Sequence, residues 1–80
     1  MPARLQRAAH RIVGTKQTIK RLQTNRLQVV YVAADAEASV VAPIYDLCKR
    51  RQIELVVVPT MAELGRLCAI EVGAAAAAIE

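Results

Sequence analysis

Apolar positions along the chain change period several times, and each change marks an element. Leu5, Ala8, Ala9 and Ile12 recur at i, i+3, i+4 and i+7, which predicts an amphipathic first helix. Pro2 and Ala3 suit its start, and Val13 and Gly14 end it. A second helix is expected from Thr15, a capping residue, to Thr24, with Asn25 as a left-handed stop. Residues 27–33 are β-branched and apolar with few polar positions, the pattern of a strand buried on both faces. Residues 34–39 read as a turn into a third helix that Pro43 starts or kinks. Ile44, Leu47 and Cys48 face inward on it, and Lys49, Arg50 and Arg51 complement its C-terminal dipole. Residues 53–58 predict a second buried strand, followed by a turn at Pro59 and Thr60 and a short fourth helix ending near Cys68. A loop, 69–73, precedes the alanine run 74–78. Alanine favours helix, but here the run follows Gly73 at the end of a small apolar domain. It is read as a short buried strand whose small side chains let helices pack closely. Alternating helices and strands predict an α/β fold, a three-layer α-β-α sandwich around one mixed sheet.

Composition narrows the class. Eighty residues hold one domain, 1–80, with a modest core. The 55% hydrophobic content argues for a folded chain rather than a disordered one. The N-terminus has basic residues but no apolar segment of a signal peptide, and no apolar run reaches membrane-spanning length. A cytoplasmic monomer without membrane attachment is expected. Cys48 and Cys68 are too few for a disulfide framework and sit among apolar residues, as buried reduced thiols do.

Charge changes the picture more. Arg4, Arg7, Arg11, Lys16, Lys20, Arg21 and Arg26 precede the first acid, Asp35. The remaining stretch carries four cations against seven acids. A basic front third on a neutral-to-acidic body suits a polyanionic partner, although a solvated basic face has the same composition.

On the second helix, at about 100° per residue, Lys16, Gln17 and Lys20 share one arc with Gln23 beside them. Thr18, Ile19 and Leu22 point the other way, toward the core. Lysines at a helix start oppose its dipole, and an anionic ligand there would reverse that cost. Such side chains also reach guanine O6 and N7, and Gly14 lets backbone approach a ligand. A plain solvated first turn is the alternative. Asp35 and Glu37 form a carboxylate pair able in principle to act as acid and base of a hydrolase. No nucleophile, metal cluster or phosphate loop accompanies them, so they are read as shaping the turn and capping the third helix. His10 lacks a Ser or Cys partner, and two cysteines alone do not make a zinc site; no cofactor or metal is expected. With only Tyr31 in mid-strand and Tyr45 in mid-helix, a base-stacking platform for single strands is disfavoured. A helix that reads RNA bases then requires a groove opened by a bend or by non-canonical pairs.

Taken together, these segments resemble the kink-turn RNA-binding ribosomal protein family, in its small bacterial form, from Ile12 to Ile79. The resemblance rests on Val13-Gly14-Thr15-Lys16-Gln17-Thr18-Ile19-Lys20, Ala33-Ala34-Asp35-Ala36-Glu37, Leu47-Cys48 and the stretch from Val58 to Cys68. The closing alanine-rich strand completes it. It implies a non-enzymatic sandwich that grips a sharply bent RNA, ribosomal RNA among the candidates, in association with the ribosome or as a regulator. Lys16, Gln17 and Lys20 stand where the family's Asn, Glu and Lys contact guanines of tandem sheared G·A pairs, with Gly14, Thr15 and Arg21 around them. Glu37 matches the family's turn acid and Val41 an apolar residue, which frame a flipped-out nucleotide. Ile70, Glu71 and Val72 match the specificity loop. Lys16 and Gln17 depart from the archaeal pair, Met61 replaces a family lysine, and Ala69 replaces a glycine. A protein-interaction module on the same fold is the second reading.

Overall fold

The computed structural model describes residues 3–8, 10–24 and 27–80. Along the chain run α1 (Ala3–Arg7), β1 (Arg11–Val13), α2 (Thr15–Thr24), β2 (Val29–Ala33), α3 (Ala38–Arg51), β3 (Glu54–Val58), α4 (Met61–Leu67) and β4 (Ala76–Ile79). The sheet has the order β1-β4-β2-β3; β4 is antiparallel to both neighbours, and β2 and β3 are parallel. The expected mixed sheet and three layers are therefore present. Successive strand residues alternate sides. Val29, Tyr31, Ala33, Ala77 and Ile79 pack with Leu5, Leu64 and Leu67 of α1 and α4. Val30, Val32, Ala76 and Ala78 pack with Leu22 of α2 and Val41, Ile44 and Cys48 of α3.

The alanine run forms a strand, as expected, and all of Ala76–Ile79 is buried between β1 and β2. Alanine's helix propensity is worth only tenths of a kcal/mol per residue, too little to outweigh pairing on both edges and burial on both faces. Thr60 caps α4, its hydroxyl accepting from the Glu63 N–H at 3.0 Å, and Glu63 completes a capping-box pattern. Pro43 lies inside α3, where it withholds one N–H from the exposed Ser39 carbonyl. Burial pushes both thiols upward in pKa, with Arg11 partly offsetting the effect at Cys68.

Three expectations are corrected. The first helix stops at Arg7, and Ile12 belongs to a strand instead, pairing with Ala78. A short isolated helix is marginal, and the free edge of β4 offers Arg11–Val13 a ladder. β3 is not buried on both faces: it is an edge strand with Glu54 exposed and Val57 51% exposed. Thr15 does not cap α2. Gly14 occupies that position at φ +104°, and its carbonyl accepts from both the Thr18 N–H (3.0 Å) and the Thr18 hydroxyl (2.8 Å). Pro2, Ala9 and the proposed stop at Asn25 lie outside the described residues.

Helix α4 ends in a paired-bond C-terminal motif. The Ile70 N–H reaches the Gly65 carbonyl and the Ala69 N–H the Arg66 carbonyl, both at 3.0 Å. The motif needs a left-handed residue, and Ala69 supplies it at φ 61°, a conformation costly to a residue with a Cβ. Ala69→Gly is expected to stabilise the fold by roughly 0.5–1 kcal/mol. A urea midpoint that does not rise would refute strain at this position.

Candidate nucleic-acid interface

Strand directions bring one edge of the sheet into focus. The last residues of β1, β2 and β3 and the first of β4 lie side by side, joined by Gly14 N–H to Ala76 C=O (2.9 Å), Ala33 N–H to Ala75 C=O (2.9 Å) and Ala34 N–H to Val58 C=O (2.7 Å). Helices α2, α3 and α4 all begin at this edge, and the 68–75 connection crosses it to reach β4. The partial positive charges of the α2 and α3 N-termini therefore point to the same end of the molecule. The crevice beyond the carboxyl ends of parallel strands is a common ligand position in α/β sheets.

At α2 the helix periodicity holds. Thr18 and Leu22 are buried, and Lys16, Gln17, Lys20 and Gln23 are exposed. The side chains of Lys16, Gln17 and Lys20 make no hydrogen bond or ion pair among the described residues. Thr15 and Gly14 are half-buried beside them. Arg21 differs: its guanidinium is ion-paired with Glu80, next to the far end of β4.

The basic front third thus splits in two. Lys16 and Lys20 stand near the edge where the helices begin. Arg4 pairs with Glu54 at 3.0 Å, Arg11 donates to the Leu67 carbonyl, and Arg7 and His10 line a shallow depression with Gln28 and Glu80 at the opposite edge. A charge count along the chain does not register this division, because α1 and the N-terminal end of β1 lie a strand's length from the α2 N-terminus.

The turn after β2 places two carboxylates with different duties. Glu37 stands at the N-cap position of α3 without a side-chain cap bond, and the Ser39 hydroxyl donates to it at 3.3 Å. Asp35 does not cap α3 as expected; its Oδ1 accepts from the Met61 N–H, at the start of α4, at 2.7 Å. The sequence has no local signal for that bond, because its partner is 26 residues away. A carboxylate committed in this way is a poor acid or base for the hydrolase alternative. Among the described residues no group of three metal-ligating side chains gathers, and no helix is long and apolar enough to cross a membrane.

Val41 is brought to this end but is only 5% exposed, packed in the α2–α3 core; its neighbour Val40 is 41% exposed. In the 69–73 loop Ile70 packs partly onto the α4-side core, while Glu71 is exposed and Val72 is 71% exposed. Ile70 is the anchor and Val72 the presented residue. Gly65 is a further contributor: a Cβ built there falls 2.1 Å from the Val72 carbonyl oxygen, so the loop lies directly on the helix. A glycine inside a helical pattern is the signal for such an approach.

Known proteins resemble this chain in sequence and in overall fold. The model of the ribosomal protein L7Ae/L30e/S12e/Gadd45 family matches residues 3–80. An RNA-binding protein of Caldanaerobacter subterraneus subsp. tengcongensis is 48% identical over 68 residues, covering 85% of this chain and 83% of the relative. The large ribosomal subunit protein eL8 of Halobacterium salinarum is 37% identical over 67 residues, 82% of this chain and 56% of its own length. Among solved structures, a 15.5 kD RNA-binding protein of Giardia lamblia superposes with a TM-score of 0.80 at 27% identity, over 96% of this chain and 62% of that one. Fold, topology and sequence together place the chain in the L7Ae/L30e/S12e/Gadd45 family of ribosomal proteins.

Proposed function

We propose that this protein binds structured RNA of the kink-turn type, through the N-terminus of α2, the 34–37 turn and the 69–73 loop. The observation that carries the reading is the first two turns of α2. Two lysines and a glutamine stand exposed and unpaired there, against the helix dipole, behind a glycine at φ +104°. An anionic ligand relieves that arrangement, since backbone amides and lysines both favour phosphate. In this reading Lys16, Gln17 and Lys20 contact guanine edges of tandem G·A pairs, and Gly14 and Thr15 let the backbone approach. Glu37 accepts a hydrogen bond from a base or ribose. Val72 covers an extruded nucleotide, with Ile70 and Glu71 shaping its loop and the residual surface of Val41 closing the side toward α3. Arg21, shared with Glu80, adds long-range attraction. Relatives named RNA-binding proteins and a large-subunit ribosomal protein support an RNA partner, ribosomal RNA included, and a role in binding rather than turnover.

A gel shift with a kink-turn duplex, against the same duplex with its G·A pairs made Watson–Crick, tests the reading. Strong preference for the first is expected, with affinity falling steeply with salt. Gln17→Ala should cost about 1–3 kcal/mol of kink-turn binding, by analogy with bidentate base contacts. Equal binding by wild type and variant, with circular dichroism unchanged, removes Gln17 from the contact set. A shallow salt dependence with no preference between the duplexes favours a protein partner instead.

A further inference from the structure

The two loops assigned to RNA belong to different parts of the chain, yet both are fastened to one residue. The Met61 N–H donates to the Asp35 carboxylate at 2.7 Å, which holds the 34–37 turn. The Met61 carbonyl accepts from the Ala74 N–H at 3.0 Å, at the end of the 69–73 loop. A Cβ built on Gly73 would come within 3.2 Å of the Met61 Cβ, so this junction is also closely packed. Met61 is the first residue of α4, whose start is fixed by the Thr60 cap. The chain of contacts therefore runs from the Asp35 carboxylate through the Met61 peptide groups to Ala74. Neither Asp35 nor Met61 need touch a ligand for it to operate.

We infer that Asp35 is a positioning residue: through the Met61 main chain it holds the 34–37 turn, which carries Glu37, at a set distance from the 69–73 loop, which presents Val72. The role rests on the RNA reading only for its consequence. In that reading an extruded nucleotide lies between Glu37 and Val72, and the spacing of the two then depends on Asp35. The hydrogen bond is charge-assisted and meets the positive end of α4, so it is stronger than a neutral pair. Met61 enters both hydrogen bonds through its main chain alone. Asparagine at position 35 keeps an acceptor oxygen, whereas alanine removes it.

The test uses the full chain as wild type, Asp35→Ala and Asp35→Asn, with global stability measured by urea unfolding. In the absence of RNA, amide hydrogen exchange at Met61 and Ala74 is followed by NMR. Asp35→Ala is expected to speed exchange at both amides at least tenfold more than at core amides of β2, and Asp35→Asn to restore most of the protection. With RNA, a kink-turn series carrying each of the four nucleotides at the extruded position is titrated. Asp35→Ala should compress the spread of affinities several-fold while losing less affinity for the preferred RNA than Gln17→Ala does; Asp35→Asn should recover the spread. Unchanged exchange at Ala74 in Asp35→Ala, identical behaviour of the two variants, or a nucleotide preference untouched by the loss of the carboxylate each overturns the role. Failure of the wild type to prefer kink-turns overturns the RNA reading, and the exchange arm, which contains no RNA, still decides the tether.

Discussion

Lys20→Glu is expected to weaken kink-turn binding at least 100-fold at moderate salt while leaving the fold intact. Lys20 is exposed on α2, one turn beyond Lys16, and its side chain makes no hydrogen bond or ion pair among the described residues; its main-chain carbonyl accepts from the Thr24 hydroxyl at 3.2 Å. Lysine and glutamate have similar helix propensities, so the stability change should stay within about 0.5 kcal/mol. Binding suffers twice, by loss of a cation that meets guanine or phosphate and by insertion of an anion facing the RNA backbone. The salt dependence should also become shallower, by about one phosphate contact or more. Arg7→Glu, at the opposite edge of the sheet, is the matched control with the same charge change, and a loss of less than about threefold is expected there. Comparable losses from the two variants would mean that net charge, rather than the α2 edge, governs affinity, and the assigned site would fall.

Gly65→Ala is expected to destabilise the protein by roughly 2–4 kcal/mol, although alanine is the better helix former by up to about 1 kcal/mol. Gly65 is buried in α4, and a Cβ there meets the Val72 carbonyl oxygen at 2.1 Å and the Gly73 Cα at 3.2 Å. Those are main-chain atoms, and they cannot turn aside as a flexible side chain does. The 69–73 loop must lift, which breaks the Ile70 and Ala69 hydrogen bonds that close α4 and pulls Ile70 from the core. For a domain of this size, each kcal/mol lowers the melting temperature by about 4–8 °C, so a fall of 10 °C or more is expected. RNA selectivity should weaken with it, since Val72 is displaced. An unchanged or raised melting temperature would show that helix propensity dominates and that the loop does not rest on the helix.

The residues that face the proposed ligand were legible because each rule involved is local. The arc of Lys16, Gln17 and Lys20 follows from helical periodicity, with Thr18 and Leu22 buried on the other side as that periodicity requires. The exposed valine of the final loop was readable only as one of a pair. Ile70 and Val72 are both apolar and two residues apart, and packing against α4 decided that Ile70 turns in and Val72 turns out. Val41 shows the converse: it occupies the expected position in the chain, yet packing against α2 buries it.

The sequence by itself determined the element types from α2 to α4, the sandwich class and the chemistry at the start of α2. These depend on hydrophobic period, turn residues and side-chain type, which act over a few residues. The tertiary structure decided what depends on distant partners. Pairing with β4 turned Arg11–Val13 into a strand, because an open sheet edge outweighs the weak propensity of a short helix. Strand order left β3 at an edge, with Val57 in solvent. The two ends of the sheet divided the basic front third, sending Arg4, Arg7 and Arg11 away from Lys16 and Lys20. A hydrogen bond spanning 26 residues carried Asp35 from the helix it precedes to the one it holds. Its energy is realised only once the chain has already folded around it, and no local pattern in the sequence encodes it.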